Sequence, residues 1–275
     1  MNFKLLCNTV LVFSIVVFST GCVNKQMLKQ QIAEAIKENP QIVLEAMREN
    51  SVDVLAIVES GIDARDKQKR EARFEYEIKN PFVPSLSPLR ALLGNPDAPV
   101  TIVEYTDFLC PYCSKGAKVV RKLVADNPEK YRLVFRNLPL HKESRELAAV
   151  FEALVLMNKE LAFKFHDLAF EKQKELYEDK DGKVLGSILE DLGVDLVKLQ
   201  EKLQSGEIQE YLLSDEKEAK AFGISATPTF LINGVSVRGY LPEDKFEKMV
   251  DLILEKSLES GKMEGDVCED CLNQK

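Results

Sequence analysis

Apolar side chains recur at intervals of three and four residues over residues 24–79, which is the spacing of one face of a helix. The first such stripe consists of Met27, Leu28, Ile32, Ala35 and Ile36. A second helix is predicted after the pair Asn39-Pro40, because asparagine and proline are typical of a helix N-cap and first turn. A third begins near residue 52 and continues into a highly charged stretch, which we expect to be solvated.

These predicted helices form an N-terminal helical arm, residues 22–79. Helices this short cannot bury an apolar stripe alone, so the arm needs a partner surface. We expect it to join copies of the chain into a homo-oligomer through residues 24–79. Packing as a helical cap on the same chain is the alternative.

Beyond the arm, the pattern changes from purely helical to alternating strands and helices. Residues 80–99 contain five prolines, which predicts a linker at the start of a new domain over residues 80–260. The mostly apolar, β-branched run from Val100 to Tyr105 predicts a strand. A helix is predicted to follow this strand and to end at Asp126.

The remaining pattern completes an α/β domain. Its predicted elements are a strand over 131–138, a helical block over about 142–222 with breaks near Gly182 and Gly193, a hairpin with the turn Asn233-Gly234, and a final helix from Pro242. Asparagine followed by glycine is the strongest short hairpin signal. This order predicts a thioredoxin-like α/β fold with an all-helical insertion, preceded by the helical arm and followed by an irregular tail over residues 261–275.

The N-terminal 21 residues have the layout of a signal peptide, with Lys4, an apolar run to Phe18 and then small residues. The run is shorter than the roughly 20 apolar residues of a membrane span. The segment from Ser19 to Cys22 resembles a bacterial lipobox, which implies that Cys22 is lipidated. We therefore expect an exported lipoprotein of the bacterial cell envelope, anchored to a membrane and facing the periplasm or the cell surface. An uncleaved anchor or an ordinary secreted protein is the alternative.

Charge and cysteine content narrow the possible partners. The formal net charge of −8 argues against nucleic acid, because phosphate binding needs a basic surface. Export allows disulfides to form and persist. The six cysteines are Cys7 in the leader, Cys22 at the lipobox, and two C-x-x-C pairs, Cys110/Cys113 and Cys268/Cys271.

The first pair, in the run Cys110-Pro111-Tyr112-Cys113, follows a predicted buried strand and opens a helix. At a helix N-terminus, unpaired backbone N–H groups and the helix dipole favour a thiolate, which is the attacking species. Pro111 suits the first helical turn. We therefore expect Cys110 to exchange disulfides with substrates and Cys113 to resolve the mixed disulfide. A zinc ligand pair and a purely structural disulfide are the alternatives.

Residues 80–258 resemble the DsbA-like family of exported thiol:disulfide oxidoreductases. The resemblance rests on VTIVEYTDFLCPYC, on the helical insert and on GISATPTFLINGVSVRGY. It implies that Pro228 is a cis proline opposite the cysteine pair, with Thr227 before it, where a substrate strand binds. It also implies that Glu104 is a buried acid that relays protons to Cys113. An ordinary solvated strand glutamate is the alternative for Glu104.

The resemblance implies an enzyme that acts on exported, cysteine-containing proteins, with a membrane or periplasmic redox partner and with neither cofactor nor metal. Pro111 and Tyr112 would lie beside the substrate. Thr227, Tyr112 and the arm favour an isomerase, because isomerase-type members often carry that threonine and an oligomerising helical extension, whereas strong oxidants have histidine in place of Tyr112. A dedicated oxidase is the alternative, and a non-enzymatic, chaperone-like surface lipoprotein is a third.

The second pair, Cys268 and Cys271, lies in the predicted tail. Glu269 and Asp270 between the two thiols oppose thiolate formation through like-charge repulsion. A local disulfide or an incidental pair is therefore the simplest interpretation. A flexible second redox pair that exchanges electrons with Cys113 and a metal-binding pair are the alternatives.

Overall fold

The computed structural model describes residues 25–87 and 90–261. The predicted leader, Cys22 and the tail pair Cys268/Cys271 lie outside the described residues. Within the described ranges, no helix combines the length and the apolar character that a bilayer crossing requires. The chain divides into two compact units, whose boundary falls between Lys67 and Gln68.

The first unit contains the three helices that the apolar spacing predicts. They are α1 (Lys25–Glu38), α2 (Gln41–Glu49) and the first part of α3 (Ser51–Lys79). Helix α2 begins one residue later than predicted, because Pro40 and not Asn39 occupies the N-cap position. Asn39 contributes its backbone carbonyl, which accepts a hydrogen bond from Ile42 N at 3.2 Å.

The large apolar side chains of this first unit are exposed apart from the half-buried Val54, and neither α1 nor α2 contains a buried residue. The exposed set comprises Met27, Leu28, Ile32, Ile36, Ile42, Val43, Leu44, Met47, Val52, Leu55, Ile57, Val58 and Ile62. Exposed large apolar side chains in such number mark an interaction site more often than a solvated face. The stripe predicted from sequence is therefore present and available for a partner.

The second unit is built on a five-stranded sheet in the order β1-β3-β2-β4-β5. The strands are β1 (Leu92–Gly94), β2 (Val100–Thr106), β3 (Tyr131–Asn137), β4 (Thr229–Ile232) and β5 (Val235–Arg238). Strands β2 and β3 are parallel, and the other neighbouring pairs are antiparallel. This mixed sheet is that of the predicted thioredoxin-like fold. Strand β1 lies inside residues 80–99, the stretch predicted to be a linker at the start of a new domain.

Eight helices complete the described part of the second unit, after the end of α3. They are α4 (Pro111–Asp126), α5 (Ser144–Met157), α6 (Lys159–Glu171), α7 (Gln173–Glu178), α8 (Lys183–Asp191), α9 (Leu196–Gln204), α10 (Glu207–Ala221) and α11 (Glu243–Glu259). The insert is all-helical, as predicted. Gly182 and Gly193 adopt the left-handed conformation at the two predicted breaks, with φ of 69° and 64°. Further breaks occur, one of them at Asn158, whose side chain caps α6 by accepting from Leu161 N.

The pleat of β2 sends alternate side chains to opposite faces of the sheet. Ile102 packs in one cluster with Val119 and Val120 of α4. Val103 and Tyr105 pack in another with Ala219 of α10. The even-numbered side chains of β2 therefore face α4, the helix that begins at the cysteine pair.

The charged end of α3 is not fully solvated, contrary to the sequence expectation. Glu77 and Ile78 are buried. The Glu77 carboxylate accepts hydrogen bonds from the backbone N–H of Ser236 at 2.7 Å and from its hydroxyl at 2.9 Å. Such charge-assisted hydrogen bonds offset part of the cost of burying the carboxylate. The last turn of α3 is therefore part of the core of the second unit.

Candidate active site

The cysteine pair lies where the loop that follows β2 joins α4. Cys110 is the N-cap residue of α4, with extended backbone angles, and Pro111 occupies the first helical position. The N–H of Cys113 donates to the carbonyl of Cys110 at 2.9 Å, which closes the first turn. Both cysteines are free thiols. Cys110 is 9% exposed and Cys113 is fully buried, so only Cys110 can be reached from outside.

The surroundings give the two thiols opposite acidities. The hydrogen bond from the Cys113 side chain is the largest of the effects that lower the pKa of Cys110 to about 5, and the N–H groups of Cys113 and Tyr112 add to it against the effect of burial. Burial raises the pKa of Cys113 far above its ordinary value, and its bond to Cys110 raises it further. At neutral pH, Cys110 is therefore a thiolate and Cys113 a protected thiol.

The Thr227-Pro228 peptide bond is cis and lies beside Cys110. The Cys110 sulfur lies 3.5 Å from the carbonyl oxygen of Thr227, and it can donate to this oxygen only in its protonated form. Gly116 of α4 packs so tightly here that a Cβ atom would lie 2.9 Å from the ring of Phe230 and 3.4 Å from Pro228. The sequence motifs around the cysteines and around Pro228 thus meet in space, as the resemblance implies.

Glu104 is fully buried on the α4 face of β2, in register with Phe135 of β3 and Phe230 of β4. Burial raises its pKa to about 8, against the opposing effects of the Thr106 hydroxyl and of the positive charge of Arg121. Neither of its carboxylate oxygens has a hydrogen-bond partner of standard geometry. The alternative of a solvated strand glutamate is wrong, whereas a role in proton transfer stays a prediction.

Asp107 is a site residue that the sequence analysis missed. Its buried carboxylate accepts hydrogen bonds from Leu109 N at 2.8 Å, Leu140 N at 2.7 Å, His141 N at 2.9 Å and the Ser144 hydroxyl. Burial alone would raise the pKa of Asp107, but these hydrogen bonds outweigh burial and hold the pKa below its ordinary value. The bond to Leu109, two positions on, is an Asx turn, and that local pattern was the available signal.

Gln173, at the start of α7, also escaped the sequence analysis. Its side-chain amide donates to the carbonyl of Phe108 at 2.7 Å and to the carbonyl of Cys110 at 3.0 Å. These contacts join the helical insert to the loop that carries the reactive thiol. No local sequence signal marks a contact between residues 63 positions apart.

Tyr112 lies on the surface beside the pair, with 59% of its area exposed. The Lys115 ammonium lies 5.3 Å from the centre of the Tyr112 ring and 5.9 Å from that of Tyr240. A cavity of about 450 Å³ lies along α4, where Ser114 and Ala117 contribute to its lining, but Cys110, Tyr112 and Pro228 do not line it. The exposed Tyr112 ring and the Lys115 ammonium therefore give the surface beside the cysteine pair an aromatic and basic border.

Comparison with known proteins agrees with this geometry. The family model described as Thioredoxin matches residues 87–252. The probable disulfide bond formation protein D of Bacillus cereus is 30% identical over 172 residues, which cover 60% of this chain and 78% of that protein. A thioredoxin-like oxidoreductase of known structure from Silicibacter pomeroyi is 28% identical, with a TM-score of 0.52 over 62% of this chain and 94% of that chain.

A second group of relatives contains the same domain within much longer proteins. The Na⁺/H⁺ antiporter NhaA 1 of Salinispora arenicola is 36% identical over 142 residues, which cover 51% of this chain and 21% of that protein. The chain therefore spans about a fifth of the length of the antiporter relatives that it matches.

Proposed function

The chain belongs to the thioredoxin family, among its DsbA-like thiol:disulfide oxidoreductases, and on that premise we propose that it exchanges disulfides with proteins through Cys110 and Cys113. Cys110 forms the mixed disulfide with the substrate, and Cys113 resolves it. The protein forms or rearranges disulfides in exported, cysteine-containing substrates. The chemistry uses the two sulfurs and needs neither a metal nor a cofactor.

The observation that carries the proposal is the setting of the Cys110 thiol. It lies at the N-terminus of α4 with a pKa of about 5, and the Thr227 carbonyl lies 3.5 Å away. A thiolate that is stable at neutral pH both attacks disulfides and leaves readily from them. The exposed ring of Tyr112 beside the cysteine pair offers a protein substrate an aromatic contact.

Isomerase activity is the more specific part of the proposal. Thr227 before the cis proline and Tyr112 between the cysteines support it, and so does the exposed apolar surface of the arm. An isomerase benefits from two reactive sites that face one misfolded substrate, and the arm would bring those sites together in a homo-oligomer. A dedicated oxidase is the second candidate, because the probable disulfide bond formation protein is among the relatives.

Refolding of scrambled ribonuclease by protein starting at residue 23 tests the proposal directly. We expect reactivation by the wild-type protein and none by the Cys110→Ser variant. Oxidation of reduced ribonuclease without reactivation of the scrambled form would instead identify an oxidase. Client protection against aggregation that survives Cys110→Ser, without any disulfide exchange, would point to the chaperone-like alternative.

Export, anchoring and redox recycling complete the proposal. The signal-peptide layout and Cys22 support a lipid-anchored protein of the bacterial envelope, facing the periplasm or the cell surface. A membrane or periplasmic redox partner would restore the oxidation state of the cysteine pair after each turnover. Labelling with radioactive palmitate, with a Cys22→Ala variant as control, tests the anchor. The role of Cys268 and Cys271, as a local disulfide or as a second redox pair, stays a prediction.

A further inference from the structure

Thr106 lies on the same face of β2 as Glu104, because side chains two positions apart on a strand point the same way. That face is covered by α4, whose first turn carries Cys113. Thr106, Glu104 and Cys113 are all at most 1% exposed. The Thr106 hydroxyl is therefore buried together with the Glu104 carboxyl and the Cys113 thiol.

The Thr106 hydroxyl interacts with both groups. Its hydrogen-bonding interaction lowers the pKa of Glu104 and, separately, that of Cys113. Neither interaction has standard hydrogen-bond geometry, since Thr106 Oγ1 and both carboxylate oxygens of Glu104 are left without a partner of that kind. Buried polar atoms without partners are rare and call for a functional explanation. Three such atoms, Thr106 Oγ1 and the two Glu104 carboxylate oxygens, lie together here beside the Cys113 sulfur.

We propose that the Thr106 hydroxyl relays the proton between the Cys113 thiol and the Glu104 carboxylate. This inference rests on the proposed disulfide exchange and deepens it. A hydroxyl has one donor and two acceptor positions, so it can take a proton from one neighbour while giving its own to the other. The partnerless oxygens are the positions that such a transfer uses.

The relay operates when the mixed disulfide is resolved. Cys113 gives its proton to Thr106 Oγ1, and the hydroxyl proton of Thr106 passes to a carboxylate oxygen of Glu104 in the ionised fraction, which grows as the pH approaches 8. The Cys113 thiolate attacks Cys110 Sγ, so the Cys110–Cys113 bond forms and the bond from Cys110 to the substrate sulfur breaks. The substrate leaves as a thiolate with the bonding electron pair. The cysteine pair loses two electrons, and the substrate disulfide gains them.

The same relay runs backwards when a substrate is oxidised. A substrate thiolate attacks Cys110 Sγ of the protein disulfide, and Cys113 leaves as a thiolate. Glu104 then supplies the proton through Thr106. Because Glu104 is mostly protonated at neutral pH, its carboxyl already carries the proton that Cys113 needs when a substrate is oxidised.

Single-turnover kinetics of the reduced protein with oxidised glutathione test the relay. The chain contains no tryptophan, so acid quenching and mass spectrometry would follow formation and decay of the glutathionylated intermediate. We expect Thr106→Val, which has nearly the same shape but no hydroxyl, to slow the decay by about 10- to 100-fold. Formation of the intermediate should be unchanged, and Thr106→Ser should decay at nearly the wild-type rate.

A double variant separates a relay from a packing effect. Adding Thr106→Val to Glu104→Gln should slow the decay no further than Glu104→Gln alone, because the two residues act in one pathway. Wild-type decay in Thr106→Val, or equal slowing in the Val and Ser variants, would overturn the relay. Should Thr106→Val fail to fold, Thr106→Ala would serve in the same comparison. A wild-type protein that forms no mixed disulfide would instead overturn the proposed function itself.

Discussion

The Nδ1 atom of His141 lies 2.9 Å from Oδ2 of Asp107, and the backbone N–H of His141 donates to the same oxygen at 2.9 Å. Asp107 precedes Cys110 by three positions, whereas His141 belongs to the loop after β3. The His141 side chain is 41% exposed, while the Asp107 side chain is fully buried. The carboxylate is thus the common anchor of two loops, and the imidazole is one of several groups that bind it.

Replacing Asp107 with asparagine should lower the free energy of unfolding by about 2–4 kcal/mol, because an amide cannot accept all the donors that the carboxylate serves. His141→Ala, the control, removes one partly exposed contact and should cost less than about 1 kcal/mol. Urea denaturation of both variants measures the difference. Since the folded pKa of Asp107 is depressed, the wild-type protein should lose this contribution as pH falls below about 4. Equal losses in the two variants would refute the anchor role.

The alkylation rate of Cys110 should rise with pH around a midpoint near 5, because the thiolate is the reacting species. Iodoacetamide labelling of the reduced protein, followed by mass spectrometry, measures this profile. Cys113→Ala removes the main donor to the Cys110 sulfur and should move the midpoint towards that of a free thiol, while Cys113→Ser keeps a donor and should move it less. A wild-type midpoint near 8.5, the value for an unperturbed cysteine, would contradict the assigned electrostatics.

The free energy of unfolding of the reduced protein should also increase relative to that of the oxidised protein as the pH rises. The folded pKa of Cys110 lies below its unfolded value, so the thiolate contributes fully above the unfolded pKa and is lost as pH falls to about 5. Urea midpoints of the two redox forms between pH 5 and about 9 would show this divergence. Parallel pH curves for the two forms would exclude a stabilised thiolate.

Glu104→Gln should make the protein more stable and less active. The folded pKa of Glu104, about 8, lies above its unfolded value, so the wild-type protein loses stability as pH rises from about 4.5 to 8. The variant has no such loss. At pH 8 its free energy of unfolding should exceed that of the wild-type protein by about 1–3 kcal/mol, before the cost of burying the amide is subtracted. Disulfide exchange should slow by about 10- to 100-fold. Urea midpoints at both pH values and the exchange rate measure the two effects.

Removing residues 23–67 should abolish self-association and leave the catalytic unit folded. The truncated chain begins at Gln68, the first residue of the second compact unit. It keeps Glu77 and its hydrogen bonds with Ser236. Sedimentation velocity of the long and short forms measures the change in mass. In the long form, Ile57→Asp should weaken the oligomer, whereas Glu59→Gln should not. Identical assembly of the long and short forms would assign the exposed apolar surface to another role.

Sequence patterns predicted the parts of the fold that short-range chemistry determines. Helix α4 begins at Pro111 and ends at Asp126 as expected, because proline at the first position and Asn127-Pro128 at the end act locally. The Asn233-Gly234 turn likewise produced the expected hairpin, with both residues at positive φ. The cysteine pair was predicted from its position at a helix N-terminus and the cis Thr227-Pro228 bond from the family resemblance, and the structure brings the two together.

Features that depend on distant neighbours escaped the sequence analysis. Strand β1 has only three residues, lies among prolines and exists because Leu92 to Gly94 pair with the edge of β3. The partners of the Asp107 carboxylate include loop residues more than 30 positions away. The proximity of Thr106 to Cys113 follows from how α4 packs on the sheet. Such contacts arise from tertiary packing, which local propensity does not encode.

The two hydrogen bonds of Gln173 have a consequence for how such a chain can diverge. One amide from the insert holds the carbonyls of Phe108 and Cys110, and the Ser144 hydroxyl, at the start of the insert, holds Asp107 of the same loop. The outer surfaces of the remaining insert helices make no such demand. Mutation can therefore remodel those surfaces over evolutionary time while the chemistry stays constant, as long as the Gln173 amide and the Ser144 hydroxyl keep their hydrogen bonds to the loop.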